Sequence, residues 1–281
     1  MIKSDGKSWP PGRIKRRWYK TWHRIAEQLK REVLIAEGER EFKFRCQNLH
    51  ELRRCMRMFL KEPGTIDWIK NSVKPGEIFY DIGSNIGIYT IYAAALVGEN
   101  GRVYSFEPHS ANFSRLLDNI EANNFQNRII PCNLALNDKK GYFDFAYSTY
   151  ESGSAHHQLV QVDESHLGPT DHEMKELKYG VTVDDLIESG RTVPPDHIKL
   201  DVDGNEVLIL RGMERLLNSQ KRPVSLQVEL DEISRTEIVQ FLKLHKYAVK
   251  ERHYTAAGLR KIGEGQEAEK QVENAIFCAE A

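Results

Sequence analysis

The sequence predicts an α/β fold in which a mostly parallel sheet carries helices on both faces. The first observation is that short apolar segments alternate with segments of helical periodicity from Glu77 onward, and this alternation is typical of parallel sheets. The second observation concerns the last two strands, which are joined by a polar loop without a clear helical pattern. Such a connection indicates a hairpin, so we expect the last strand to be antiparallel to the others.

Taken in order, the alternating elements beyond residue 76 are seven strands and five helices, apart from the insertion at 141–181. The strands are expected at 77–82, 102–107, 128–133, 197–202, 224–230, 246–252 and 274–279. The helices are expected near 86–97, 110–123, 182–189, 205–219 and 234–245. The helix at 110–123 has the clearest period, because Phe113, Leu116 and Ile120 recur on one face. Residues 141–181 interrupt the alternation with a strand at 141–147 and a long polar segment, which we expect to shape a substrate pocket.

The first 62 residues differ from the rest in both pattern and charge. A helix is predicted over 14–37, with Gly38 as its stop, and two more are predicted over 49–60 and 65–73. Residues 1–61 contain 17 Lys or Arg and 7 Asp or Glu, whereas the rest of the chain contains 23 and 34. This basic arm is expected either to contact an anionic surface or another subunit, or to be a solvated helical face.

Composition places the chain among ordinary globular proteins, with 40% hydrophobic and 29% charged residues. The four cysteines have no metal-type spacing and are expected to be free thiols in a reducing compartment. The N-terminus lacks the apolar core of a signal peptide, and no apolar run approaches the roughly 20 residues that span a bilayer. We therefore expect a cytoplasmic protein without a transmembrane segment.

The segment EIFYDIGSNIG, residues 77–87, predicts a strand, a glycine-rich turn and the start of a helix, an arrangement that brings backbone close to a nucleoside ligand. No Gly-Lys-Ser/Thr follows, which argues against a nucleoside triphosphatase loop. The spacing Gly83-x-Asn85-x-Gly87 also differs from that of dinucleotide binders. Glu107, 20 residues after Gly87, ends the second strand, where a carboxylate can accept both ribose hydroxyls. Together these features favour S-adenosylmethionine.

A second cluster of polar residues lies in HIKLDVDGNE, residues 197–206. The alternation of Ile198, Leu200 and Val202 predicts a strand, and carboxylates follow at Asp201, at position 203 and at position 206. Such a cluster at the carboxyl edge of a sheet can bind the ligand amino group, act as a general base or hold a divalent metal. The structural alternative is a helix N-cap made by residue 203 or 205.

The motifs DIGSNIG, FEPHSANFSRLLDNIEANN, VTVDDL and HIKLDVDGNE with the following VLILRG resemble the FkbM family of S-adenosylmethionine-dependent methyltransferases over about residues 75–280. The resemblance implies a class I, Rossmann-like methyltransferase fold with seven strands, the last antiparallel. Asp203 departs from the family pattern, which has Glu there. The matching positions are Asp81, Gly83, Asn85, Gly87, Glu107, Pro108, Asn112, Asn119, Lys199, Asp201, Gly204 and Glu206. We expect an arm at 1–62 and a methyltransferase domain at 63–281.

The predicted cofactor site combines the first turn with the ends of the second, third and fourth strands. In this prediction the turn cradles the methionine part, Glu107 binds the ribose and the end of the third strand borders the adenine. The expected cofactor-binding residues are Asp81, Gly83, Ser84, Asn85, Gly87, Thr90, Glu107, Pro108, Asn133, Ala135 and Asp201.

The predicted chemistry is O-methylation of a hydroxyl on a sugar, glycan or small natural product. Because a sugar hydroxyl is a poor nucleophile, a base is expected, and the candidates are Asp201, His156 and His157. A divalent metal is not favoured; Asp201 and Glu229 would be its ligands. Three alternatives stay open: N-methylation of a peptide side chain, methylation of RNA, and a non-catalytic ligand-binding or scaffold protein. The expected partner is a glycan or small-molecule acceptor, and self-association into a homo-oligomer is a further possibility.

Overall fold

The structure is a computed structural model that describes residues 17–18, 20–22, 31–147, 151–153, 158–160, 174–202 and 204–280. Its strands are β1 (Arg31–Glu37), β2 (Arg40–Cys46), β3 (Ile78–Ile82), β4 (Arg102–Phe106), β5 (Ile129–Cys132), β6 (Ala135–Leu136), β7 (Gly141–Tyr147), β8 (Gln158–Val160), β9 (Met174–Val181), β10 (His197–Leu200), β11 (Ser225–Leu230), β12 (Tyr247–Tyr254) and β13 (Glu273–Ala279). Its helices, numbered here from the first one after β2, are α1 (Leu49–Met56), α2 (Pro63–Ser72), α3 (Ile88–Val97), α4 (Ser110–Ala122), α5 (Val183–Glu188), α6 (Glu206–Arg211), α7 (Glu214–Leu217), α8 (Arg235–Leu244) and α9 (Ala256–Gly263).

The central sheet has seven strands in the order β12-β13-β11-β10-β3-β4-β5. The contacts between β11, β10, β3, β4 and β5 are all parallel. In contrast, β13 is antiparallel to both of its neighbours, β11 and β12. The predicted fold class, a mostly parallel seven-stranded sheet whose last strand is antiparallel, is therefore confirmed. The carboxyl ends of β3, β4, β10 and β11 meet at one edge of the sheet, where the predicted site residues lie.

Both faces of the central sheet are covered, as its composition requires. On β3, Tyr80 and Ile82 belong to one buried apolar cluster, whereas Phe79 belongs to the other. Successive side chains of a strand point to opposite faces, so a strand buried on both sides has an almost continuous apolar sequence. This is why IFY, rather than an alternating pattern, precedes the glycine-rich turn.

Strands β1 and β2 form an antiparallel hairpin that turns at Gly38. The helix predicted over 14–37 is therefore wrong for residues 31–37, and the N-terminal appendage is not purely helical. The physical reason is the alternation in REFKFRC, which buries the side chains of Phe42 and Phe44 in the core around α3. Gly38 has φ of 60°, so it supplies the turn of a hairpin and does not end a helix.

Two asparagines, Asn119 on α4 and Asn123 directly after it, hold the hairpin against the domain. The backbone N–H groups of Arg45 and Lys43 donate to Asn119 Oδ1 at 2.8 Å and to Asn123 Oδ1 at 2.9 Å. Asn119 Nδ2 in turn donates to the carbonyl of Ile86 at 2.8 Å. Asn119 thus links the hairpin to the end of the glycine-rich turn. The division of the chain at residue 62 stays a prediction.

The other elements differ from the sequence prediction in three places. The helix expected over 205–219 is divided into α6 and α7, because Gly212 packs so closely on Asn137 that a Cβ would lie 2.1 Å from its carbonyl oxygen. The loop before β13, expected to lack a helix, contains α9. The insertion at 141–181 contains, after β7, the strands β8 and β9, which join β6 and β7 in a small second sheet.

In the described part of the chain, no helix is long and apolar enough to cross a bilayer. All four cysteines are free thiols.

Candidate active site

A pocket of about 400 Å³ opens at the carboxyl edge of the central sheet. Three carboxylates reach it from strand ends: Glu107 follows β4, Asp201 follows β10, and Glu229 lies near the end of β11. A cavity of this size is typical of a site for a small organic ligand. The pocket lies where the connections that follow two neighbouring strands run in opposite directions. Open α/β sheets bind their ligands at such a point.

The glycine-rich turn forms one wall of the pocket through its backbone. Gly83 has φ of 82°, and a Cβ there would lie 1.8 Å from the carbonyl oxygen of Asp201. Its N–H donates to the carbonyl of Phe106 at 3.0 Å. Asn85 also has a positive φ, 52°, a conformation that asparagine tolerates better than most residues. The turn therefore brings the main chain of Gly83 directly up to the pocket, beside Asn85.

Glu107 is buried beside the same turn. Its Oε2 accepts from the backbone N–H of Asn85 at 2.7 Å, and its Oε1 accepts from that of His109 at 2.8 Å. Burial raises the pKa of Glu107 to about 7, and these two hydrogen bonds and the charge of Arg54 only partly oppose the shift. Because each carboxylate oxygen has two lone pairs, Glu107 can still accept from a ligand hydroxyl besides these two N–H groups and the Asn112 side chain.

Asp81 is fully buried and does not line the pocket. Its Oδ2 accepts from the hydroxyl of Thr90 at 2.5 Å, and that hydroxyl also contacts Ser105 Oγ at 2.9 Å. Its Oδ1 has no hydrogen-bond partner in the part of the chain that the structure describes. Burial raises the pKa of Asp81, and the positive charge of Lys199 opposes this shift.

Lys199, on β10, is the cation between the two acidic motifs. Its Nζ donates to Asp201 Oδ2 at 2.8 Å and lies 5.0 Å from the ring centre of Tyr89. Burial alone would lower the pKa of Lys199, but the charges of Asp201 and Asp81 outweigh it and raise the pKa. Burial would likewise raise the pKa of Asp201, but the charges of Lys199 and Lys61 lower it. Asp201 is therefore an anion at neutral pH and a weak proton acceptor.

The remaining carboxylate of the second motif has a local structural role. Glu206 accepts from the backbone N–H of Val202 at 3.1 Å and from that of Gly204 at 3.1 Å, and it is buried. The expected cap from residue 205 is wrong, because the Asn205 side chain makes no capping hydrogen bond to α6. Asp203 lies outside the described residues. The turn after β10 is thus closed by the first residue of the helix that follows it.

The structure divides the predicted cofactor-binding residues into two groups. One group lines the pocket and consists of Gly83, Asn85, Glu107, Pro108, Ala135 and Asp201. The other group lies outside the pocket wall and consists of Asp81, Ser84, Gly87, Thr90 and Asn133.

The second group supports the first from behind. Asn133 Nδ2 donates to the carbonyl of Glu107 at 2.7 Å, and Ser84 N–H donates to the carbonyl of Phe106 at 3.1 Å. Gly87 has φ of 89° and begins α3 directly under the side chain of Leu116. These residues therefore fix the shape of the wall, and their contacts with a ligand would be indirect.

Of the residues predicted as base or metal ligands, the structure describes Asp201 and Glu229 but neither histidine. His156 and His157 lie outside the described residues. Asp201 and Glu229 line the same pocket, but within the described ranges no group of three or more His, Cys, Asp or Glu side chains is arranged to hold a metal ion. Asp201 already has Lys199 as its cationic partner.

The pocket also has a basic wall, which is absent from the predicted site. Arg54 on α1, together with Arg57 and Lys61 just beyond its end, lines the pocket opposite the strand ends. The signal was present, because the helix predicted over 49–60 has a basic face, but nothing in the sequence showed which surface that helix packs on. Its position follows from the hairpin before it, which α1 contacts.

The same wall is fastened to the insertion at residues 151–153. The N–H of Gly153 donates to Asn112 Oδ1 at 2.8 Å, and its carbonyl accepts from Arg54 Nε. Gly153 has φ of 82°, and a Cβ there would lie 2.9 Å from the backbone nitrogen of Glu51. Because Asn112 and Arg54 both line the pocket, the insertion helps to set the position of the basic wall.

The described residues fit S-adenosylmethionine. The turn at Gly83 carries main chain to the cavity and suits the methionine part. The buried carboxylate of Glu107 suits the ribose hydroxyls, and Asp201, an anion held by Lys199, suits the ammonium group. The sheet order and this site define the protein as a class I methyltransferase. The model of the methyltransferase FkbM domain matches residues 81–254. The chain belongs to the FkbM family of S-adenosylmethionine-dependent methyltransferases.

Individual relatives are more distant. A hexuronic acid methyltransferase, AglP, from Haloferax volcanii is 27% identical over 177 residues, which cover 63% of this chain and 66% of that protein, just under two thirds. A methyltransferase FkbM from Methylobacillus flagellatus is 15% identical with a TM-score of 0.45, and the match covers 75% of this chain and 50% of that one. A precorrin-6y C5,15-methyltransferase from Geobacter metallireducens is 14% identical with a TM-score of 0.44, covering 78% of this chain and 86% of that one.

Proposed function

We propose that this protein transfers a methyl group from S-adenosylmethionine to a hydroxyl oxygen of a sugar or a sugar-containing small molecule. The observation that carries the proposal is a single pocket in which strand-end carboxylates face a basic wall and part of the insertion sheet. The Haloferax relative is a hexuronic acid methyltransferase, which supports a sugar as the acceptor.

Glu107 and Asp201 are the residues that we assign to cofactor binding. Glu107, held by the N–H groups of Asn85 and His109, accepts hydrogen bonds from the two ribose hydroxyls. Asp201, kept anionic by Lys199, accepts from the ammonium group of the methionine part. Gly83 contributes close backbone approach, and Ala135 and Pro108 border the adenine. The cofactor supplies a methyl group already activated on a sulfonium sulfur.

The chain's part in the reaction is to position the acceptor and to accept its proton. In-line approach of an oxygen at about 3 Å to the methyl carbon accounts for much of the rate, because orientation removes an entropic barrier. Asp201 is a weak proton acceptor because its pKa is lowered. This favours His156 or His157 as the base, since histidine titrates near neutral pH. Both follow within four residues of Gly153, which contacts the pocket wall.

The test is a direct assay on a panel of acceptors. The full-length protein is incubated with S-adenosylmethionine and with glucose, N-acetylglucosamine, glucuronic acid, an RNA mixture or a peptide mixture. We expect a gain of one methylene mass on a sugar, with NMR placing the methyl on oxygen. Methylation of RNA or peptide with no sugar product would overturn the proposal. Calorimetry with S-adenosylhomocysteine confirms separately that the cofactor site is intact.

A further inference from the structure

The basic wall contains three cations that differ in how far they are neutralised. Arg54 donates its Nε to the carbonyl of Gly153. Lys61 Nζ forms an ion pair with Glu62 Oε1 at 2.5 Å. Arg57 is exposed, and among the described residues its guanidinium has neither an ion-pair nor a hydrogen-bond partner. All three nonetheless line the pocket.

The cations also differ in which part of the pocket they influence. The charge of Arg54 acts on both Glu107 and Asp201, and the charge of Lys61 acts on Asp201. These two cations therefore lie near the proposed cofactor side. Arg57 lies between them in sequence, three residues after Arg54 and four before Lys61. It lines the pocket without a partner of its own.

We infer that Arg57 is the binding subsite for an anionic group on the methyl acceptor, a carboxylate or a phosphate. The planar guanidinium presents paired N–H donors that match the two oxygens of a carboxylate or phosphate, which an ammonium group cannot do. An anion placed here would face the unneutralised cation of the pocket. This inference rests on the proposed function and narrows it from sugars in general to acidic sugars.

The proposal explains an otherwise unfavourable feature of the site. Cations that line one pocket repel each other, and this repulsion grows as solvent is excluded from the pocket. A bound anion removes that repulsion and gains a charge-assisted hydrogen bond. A neutral acceptor would gain no charge-assisted hydrogen bond from Arg57.

The experiment measures acceptor binding apart from methyl transfer. The full-length protein loaded with S-adenosylhomocysteine is titrated by calorimetry with glucuronic acid, with glucose 6-phosphate and with glucose. We expect both acids to bind more tightly than glucose. Arg57→Ala weakens binding of the preferred acid about 10- to 100-fold, which is the worth of hydrogen bonds between charged groups. The acid that loses more affinity identifies a carboxylate or a phosphate as the bound group.

Arg53→Ala is the matched control. Arg53 belongs to the same helix and is exposed, but it does not line the pocket. We expect it to bind both acids like the wild type, and we expect Arg57→Lys to recover part of the lost affinity. In all three variants S-adenosylhomocysteine should bind within about twofold of the wild type, since none of them is assigned to the cofactor.

Three results would overturn the inference. The first is glucose binding as tightly as the two acids, the second is Arg53→Ala weakening acid binding as much as Arg57→Ala does, and the third is Arg57→Ala weakening cofactor binding as much as acid binding. Equal loss in the two Arg variants would indicate a basic surface that binds anions in general, such as lipid headgroups. Acid binding through Arg57 without methyl transfer to any sugar would leave the subsite standing and refute the proposed function, so the two failures are distinguishable.

Discussion

The two walls of the pocket are built in different ways. The sheet wall comes from residues that directly follow strands, and it is held by buried hydrogen bonds such as those of Glu107. The basic wall comes from α1 and is held by contacts with residues 151–153, about a hundred positions away. The comparison teaches that the cofactor side is a property of short motifs, whereas the acceptor side is a property of how distant segments meet.

The largest effect is expected from Gly83→Ala on the sheet wall. A Cβ there would lie 1.8 Å from the carbonyl oxygen of Asp201, at φ of 82°. The turn must move, and we expect S-adenosylhomocysteine affinity, measured by calorimetry, to fall at least about 100-fold. Gly98→Ala is the control, because Gly98 has φ of 67° but open space around it. It should cost only about 1 kcal/mol of stability. If both variants bind the cofactor normally, the turn is more tolerant than the contact implies.

Asp201→Asn tests the charge on the same wall. We expect cofactor affinity to fall about 10- to 100-fold, the worth of a hydrogen bond between charged groups, while the fold survives because Lys199 keeps Asp81 as a counter-ion. The measurement is calorimetry together with a thermal melt. Since the pKa of Asp201 is lowered, its contribution is full at neutral pH and is lost only as the pH falls well into the acid range. Glu237→Gln, an exposed carboxylate paired with Arg211, is the control, and equal affinity in both variants would refute the assignment.

A smaller and pH-dependent effect is expected at Glu107. Its pKa is raised to about 7, so folding favours the protonated form of Glu107. The free energy of unfolding of the cofactor-free protein therefore falls as the pH rises from the ordinary pKa of a glutamate towards 7. The ionised form accepts both ribose hydroxyls. Cofactor affinity should therefore rise by up to about tenfold between pH 6 and pH 8. In Glu107→Gln it should be weaker and independent of pH. A wild-type profile that stays flat over this range would remove Glu107 from the ribose site.

The smallest effect is expected from metal removal. Lys199 Nζ already occupies Asp201 Oδ2 at 2.8 Å, so a second cation at Asp201 and Glu229 would be repelled. We expect EDTA to change the methyl-transfer rate by less than about twofold. A large loss that Mg²⁺ or Mn²⁺ restores, and that Glu229→Gln abolishes, would show that the metal alternative is right.

The errors in the sequence prediction have a common physical origin. Val33 continues a helical stripe and so predicts a helix over 31–37, yet Phe42 and Phe44 decide the structure of this stretch by pairing it into a hairpin. Local propensity loses to burial when the two disagree. Asp81 is a similar case. Its position after an apolar run predicts a contact with the ligand, but its Oδ2 accepts a hydrogen bond from the Thr90 hydroxyl inside the core.

The sequence by itself determined the strands of the central sheet, the glycine-rich turn and the carboxylates at the strand ends, because backbone conformation and apolar periodicity depend on neighbouring residues. Only the tertiary structure decided that Asp81 lies behind the pocket, that Lys199 joins two acidic motifs, and that Arg57 faces the same cavity as Glu107. These three facts depend on contacts between segments tens of residues apart. Such contacts follow from strand order and helix packing, which no local pattern encodes.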